Sequence, residues 1–142
     1  FNQLGKPLHV VGAGRYQEYL KSIAGPNIKF LGLVSDQELR DQYSGALGFI
    51  YPQVEDFGMM PLEAAACGTA TIGQAKGGSL ETIIPGQTGE LLDQISAEKL
   101  SELINRWDQS KYQANVMRTH AEQFSRAQFE KKLNWVISKF LS

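Results

Sequence analysis

Residues 46 to 51 read ALGFIY, a near-continuous apolar run that stops at Pro52. A strand with one face in water alternates apolar and polar side chains; a run without alternation suits a strand covered on both faces. Such strands belong to parallel sheets, because a helical crossover must return the chain before it can add a parallel neighbour. The rest of the chain supplies that alternation. Leu8 to Gly12 (LHVVG), Ile28 to Leu31, Thr69 to Ile72 and Thr88 to Leu92 read as short strands. Tyr16 to Ile23 reads as a helix, and Ser35 opens another with Glu38 as its capping-box partner. Pro61 opens a helix that stops at Gly68, and Leu80 to Ile84 makes a helical turn. The predicted class is α/β, a doubly wound parallel sheet.

Three helices are expected to close the chain. The first aligns Ala97, Leu100, Leu103, Ile104 and Trp107 on one face; the second aligns Val116, Met117, Ala121 and Phe124. The third opens with a capping box at Ser125 and Gln128 and is expected to bury Phe129, Leu133, Val136, Ile137 and Phe140. At the other end, Phe1 to Leu4 reads as a last helical turn capped by a left-handed Gly5, with Pro7 beyond it. A strand and a helix are therefore expected upstream.

At 142 residues the chain is long enough for one domain with a core. No run approaches the roughly 18 apolar residues of a membrane span. The single Cys67 excludes an internal disulfide and suits a reducing, cytoplasmic compartment. A net charge of −1 argues against a nucleic-acid partner. Residues 1–95 hold six Lys or Arg against ten Asp or Glu, and residues 96–142 hold eight against five. The basic tail reads first as a solvated helix face; its other use is contact with an acidic surface or membrane headgroups.

In a doubly wound sheet, ligands bind beyond the carboxyl ends of the strands. The loop after ALGFIY reads PQVEDFGMMPLEAAACG and places Glu55 and Glu63 with seven residues between them. Pro61 puts Glu63 near a helix start, where free N–H groups and a positive dipole end favour phosphate. Gly58 lets backbone approach a ligand. A carboxylate accepts two hydrogen bonds, so Glu63 suits the two vicinal hydroxyls of a ribose and Glu55 those of a sugar. Diphosphate between ribose and sugar describes a nucleotide sugar.

This segment resembles the Glu-x(7)-Glu motif of the large family of retaining glycosyltransferases that includes bacterial mannosyltransferases, sucrose synthase and bacterial glycogen synthase. VVGAG at 10–14, IKFLGLVSDQEL at 28–39, GQAKGGSLETIIPGQTGEL at 73–91 and SRAQFEKKLNWVISKFL at 125–141 resemble four further family segments in the same order. The resemblance implies a Rossmann-like C-terminal half of a GT-B fold that binds a UDP-, GDP- or ADP-sugar and transfers the sugar, without metal or other cofactor, to an acceptor hydroxyl. It makes Glu55 the candidate catalytic residue at the donor sugar and Glu63 the ribose ligand. Amides of Phe57, Gly58, Met59 and Met60 would meet sugar and diphosphate. Leu33 and Val34 would read the base, with Leu39 beside it; Gly12 and Gly14 would approach the phosphates or acceptor side, and Gly78 and Glu81 would join the ligand contacts. The family's early Arg and Lys and its N-terminal acceptor domain would precede Phe1, so no transfer is expected from these 142 residues alone. The last helix would cross toward that absent half, leaving an apolar face available for self-association.

Other readings remain. A different GT-B sugar-nucleotide enzyme, an epimerase or phosphorylase, would share these features, as would a non-catalytic nucleotide-binding module. The two glutamates also fit plain surface carboxylates, and Gly77 and Gly78 a plain turn. GAGRYQ lacks the third glycine of a dinucleotide fingerprint, since position 17 is Gln17. Cys67 reads as a packing residue, His9 and His120 lack metal-ligand spacing, and Trp107 and Trp135 read as core.

Overall fold

The computed structural model describes residues 1–141. In chain order the elements are β1 (Leu8–Val11), α1 (Gln17–Ile23), β2 (Ile28–Gly32), α2 (Asp36–Gly45), β3 (Phe49–Tyr51), α3 (Met59–Ala66), β4 (Thr71–Gln74), α4 (Ser79–Thr82), β5 (Gly89–Leu92), α5 (Ala97–Asn105), a 3-10 turn (Gln109–Lys111), α6 (Ala114–Glu122) and α7 (Arg126–Leu141). They form two compact units. One holds Phe1–Gln42 and Ser96–Trp107; the other holds Tyr43–Ile95 and the chain from Asp108 onward.

In the first unit β1 runs parallel to β2, with Leu8 opposite Ile28 and a register shift between Val10 and Val11. Gly5 takes a φ of 67° and donates its N–H to the Phe1 carbonyl at 2.9 Å, the expected left-handed turn. The α2 capping box forms as expected. Glu38 Oε2 accepts from the Ser35 N–H at 2.8 Å and its hydroxyl at 2.7 Å, and the Glu38 N–H donates back to Ser35 Oγ at 3.3 Å. Those two donors hold the Glu38 carboxyl below its usual value.

In the second unit β3, β4 and β5 form a parallel sheet in that order, with Phe49 opposite Thr71 and Thr71 opposite Gly89. The ALGFIY run forms only three residues of strand, at its carboxyl end. β4 starts two residues later than expected, because Thr69 is tied elsewhere: its N–H donates to the Ala64 carbonyl and its hydroxyl to the Tyr43 carbonyl. α3 packs on β3, β4 and α6. Leu62, Ala64, Ala65, Ile72, Ile83 and Met117 are buried here. Each larger one contributes roughly 1.5–3 kcal/mol by leaving water.

The tail departs from expectation. Every described residue of α7 is exposed, including Phe129, Leu133, Val136, Ile137 and Phe140, which were expected in a core. The helical period decides which side chains share a face; what covers that face lies outside the helix. Trp135 is likewise exposed, with Lys139 Nζ 4.4 Å from its ring centre. The Ser125 capping box does not form. The amides of Gln123, Phe124 and Ser125 bond back three residues, to His120, Ala121 and Glu122, so α6 turns tightly into α7. That turn leaves the Ser125 hydroxyl buried without a partner.

Candidate functional site

The site elements of the second unit are the 52–58 loop, the start of α3 and the loop from β4 to α4. α3 begins at Met59, two residues before Pro61. Proline is tolerated there because the first-turn N–H groups have no helical partner to lose. Gly58 caps the helix with a φ of 81°, which disfavours any side chain. Among the described residues, the amides of Phe57, Gly58, Met59 and Met60 donate to nothing. Four free N–H groups therefore sit at the positive end of an eight-residue helix.

Glu55 and Glu63 are both solvent-exposed. Each has a buried tyrosine near it that sequence reading missed. The Tyr43 hydroxyl donates to Glu63 Oε2 at 3.5 Å, a long bond. Tyr51 is 1% exposed, and its hydroxyl lies 3.2 Å from where a Cβ on Gly58 would sit. The ring of Phe49 links the two, 5.2 Å from the Tyr43 ring and 6.1 Å from that of Tyr51. Tyr51 reads in the sequence only as the end of the apolar ALGFIY run, and nothing in the sequence singles out Tyr43; their chemistry shows only once the glutamates fold near them.

Burial is the main cause that raises the pKa of both phenols, followed by the nearby carboxylate, Glu63 for Tyr43 and Glu55 for Tyr51. Tyr51 is pushed up to about 12 and Tyr43 further. The Glu55 carboxylate is close enough to act on Tyr51, but the Tyr51 hydroxyl makes no formed hydrogen bond. A raised folded-state pKa means the folded protein keeps a proton that the unfolded chain releases above about pH 10. That stability is complete below pH 10 and falls as pH climbs through the folded values. Thermal midpoints measured between pH 8 and 11.5 are expected to fall steeply above pH 10. Each tyrosine contributes a slope of at most about 1.4 kcal/mol per pH unit, and the double substitution Tyr43→Phe/Tyr51→Phe should make it shallower, leaving the part due to Tyr112, whose pKa burial and Glu90 also raise.

The glycine pair reads differently in the folded chain. The Gly78 N–H donates to the Glu55 carbonyl at 2.8 Å, and a Cβ on Gly78 would overlap the Phe57 backbone. A Cβ on Gly77 would overlap the Glu55 carbonyl, and Gly77 has a φ of 63°. The Gly78 amide, expected among the ligand contacts, is committed within the fold, and its open side is filled. The pair clips the β4–α4 loop to the 55–57 loop. Glu81 is exposed on α4. Phe57 is partly exposed, its ring 5.9 Å from Phe124, whose ring lies 5.3 Å from buried His120. Lys76, exposed in the clipped loop, is the only Lys or Arg between residues 43 and 95.

In the first unit, Gly12 has a φ of 110° and donates to the Gly32 carbonyl at 2.7 Å; a Cβ there would meet nothing within 4 Å. Gly14 accepts from the Gln17 N–H. Leu33 is 84% exposed, whereas Val34 and Leu39 are half-buried. Among the described residues, no group of three His, Cys, Asp or Glu is placed to hold a metal ion, and no helix is long and apolar enough to cross a membrane.

The family model described as glycosyl transferases group 1 matches residues 6–124. The chain is 36% identical over 108 residues to a GDP-mannose-dependent monoacylated alpha-(1-6)-phosphatidylinositol monomannoside mannosyltransferase of Corynebacterium glutamicum, covering 68% of this chain and 28% of that protein. It is 30% identical over 113 residues to a GDP-mannose-dependent alpha-(1-6)-phosphatidylinositol monomannoside mannosyltransferase of Mycobacterium tuberculosis, covering 70% and 29%. The chain thus spans less than a third of the length of these relatives. Two solved structures share its fold at 20% identity. One is Anabaena HepE in complex with UDP-glucose, with a TM-score of 0.74 over 94% of this chain and 41% of that one. The other is sucrose-phosphate synthase of Thermosynechococcus elongatus, with a TM-score of 0.76 over 97% and 46%. A parallel α/β fold, two glutamates spaced around an amide-rich helix start and a family match over most of the length agree: the chain belongs to the group 1 glycosyl transferases.

Proposed function

We propose that this chain is a nucleotide-sugar-binding domain of a glycosyltransferase that moves a sugar from a nucleoside diphosphate sugar to an acceptor hydroxyl, with retained anomeric configuration and without a metal. The observation that carries the reading is the start of α3, where four uncommitted amides lie between two exposed carboxylates in sequence. The amides and the helix dipole suit a diphosphate. Glu63 suits the paired ribose hydroxyls, and Glu55 the hydroxyls of the donor sugar. Lys76 is the cation that this stretch of chain offers to the same anion. Stabilising the departing diphosphate is the chemical work such a site performs, since donors aimed at developing charge lower the barrier most. The relatives named as GDP-mannose-dependent and the neighbour solved with UDP-glucose support a ligand of this class.

Calorimetric titration of the purified protein with GDP, GDP-mannose, UDP and UDP-glucose tests the proposal. Glu63→Ala is expected to weaken nucleotides and nucleotide sugars alike, on the order of 100-fold or more, the effect of losing two hydrogen bonds to a charged group. Glu55→Ala is expected to weaken only the nucleotide sugars. Chelator should change neither. Affinities untouched by both substitutions would sink the proposal.

A further inference from the structure

Tyr51 carries an unexplained group. Its side chain ends β3, is 1% exposed and holds a hydroxyl with no hydrogen-bond partner. A buried hydroxyl in that state is a cost to the fold, and phenylalanine would fill the same space without it. The hydroxyl points beneath the turn that carries the candidate sugar ligand. It lies 3.2 Å from the Cβ position of Gly58, three residues after Glu55 in the same loop. That loop is held from its other side, where the Gly78 N–H grips the Glu55 carbonyl. The backbone of Glu55 is therefore fixed while its exposed carboxylate remains unbonded to the phenol beside it.

We propose that Tyr51 is a positioning residue for Glu55: its hydroxyl donates to one carboxylate oxygen when a donor sugar is bound, turning the other oxygen toward the sugar hydroxyls. This rests on the donor-binding reading above. The phenol suits the role because burial and the Glu55 charge both raise its pKa, which keeps its proton available for donation. The surroundings hold the ring in place. Phe49 packs 6.1 Å away, and Tyr51 sits opposite Gly73 in the β3–β4 ladder. Tyr43 donates to Glu63, the second carboxylate of the motif, so a buried phenol stands beside each glutamate.

The test compares the protein with its Tyr51→Phe variant, titrating GDP against GDP-mannose and UDP against UDP-glucose, and recording the thermal midpoint without ligand. The variant is expected to bind the nucleotide sugar about tenfold more weakly, the effect of one hydrogen bond to a charged group. Its affinity for the nucleoside diphosphate alone should be unchanged, and its ligand-free midpoint equal or higher. In a Glu55→Ala background, which removes the acceptor, Tyr51→Phe should cost nothing further, because the two act as one unit. Equal weakening of diphosphate and nucleotide sugar, unchanged affinity for both, or a lower ligand-free midpoint would each overturn the proposal. The last would show that the hydroxyl has a structural partner. Failure of the unmodified protein to bind any of the four ligands would instead remove the donor-binding reading, and this inference with it.

Discussion

An alanine at position 78 is expected to lower the thermal midpoint by on the order of 10 °C and to abolish detectable nucleotide-sugar binding. The added methyl group would overlap the carbonyl, carbonyl carbon and Cα of Phe57. These are backbone atoms, so no rotamer change relieves the overlap. Either the 55–57 loop or the β4–α4 loop must move, and the bond from the Gly78 N–H to the Glu55 carbonyl is lost with the movement. Overpacking of this kind costs about 1–3 kcal/mol, more where only backbone can yield. The same displacement shifts Glu55 and the free amides that follow it. Gly14→Ala is the control: it has no atom within 4 Å of the new Cβ and no positive φ, so its midpoint should hold. A Gly78→Ala protein with unchanged midpoint and binding would show that the two loops are not clipped.

Gly89→Ala is expected to be still more damaging to stability, about 3 kcal/mol or more, although it lies far from Glu55 in sequence. Gly89 stands opposite Thr71 in the β4–β5 ladder, and its Cβ would overlap the Thr71 carbonyl and amide nitrogen. Relief requires β5 to leave β4. The pairs from Thr71 with Gly89 to Gln74 with Leu92 then open together, and β4 leads directly into the loop that holds Gly77 and Gly78. Hydrogen exchange of the β4 and β5 amides is the direct measurement, with faster exchange expected across the ladder. Gly86→Ala calibrates the scale. Gly86 has room for a methyl but a φ of 74°, so it should cost only about 1 kcal/mol of backbone strain.

The first prediction concerns a glycine whose role is ambiguous in sequence. Gly78 read as a ligand contact or a turn, because a glycine's sequence neighbours do not say what fills the space beside it. Phe57, the residue that does so, is 21 positions away. The capping boxes show the same limit at short range. Ser35 with Glu38 and Ser125 with Gln128 are the same motif, yet only the first forms. The second is pre-empted by the tight turn that continues α6. The apolar stripe of α7 was legible from its period, but its exposure was not, since a period carries no information about a partner.

The order of strands and helices, the left-handed turn at Gly5, the Glu-x(7)-Glu segment and the family itself could be read from the sequence alone. The turn and the paired glutamates are written in spacings of one to eight residues, the range over which backbone sterics and helical or strand periodicity act, and the family in the order of such segments along the chain. Packing determined what those spacings could not. It filled the open side of Gly78 with Phe57, set a buried phenol beside each candidate glutamate and left α7 uncovered. Each of these outcomes depends on surfaces meeting across the fold, and the energy of such a meeting is absent from any local stretch of chain.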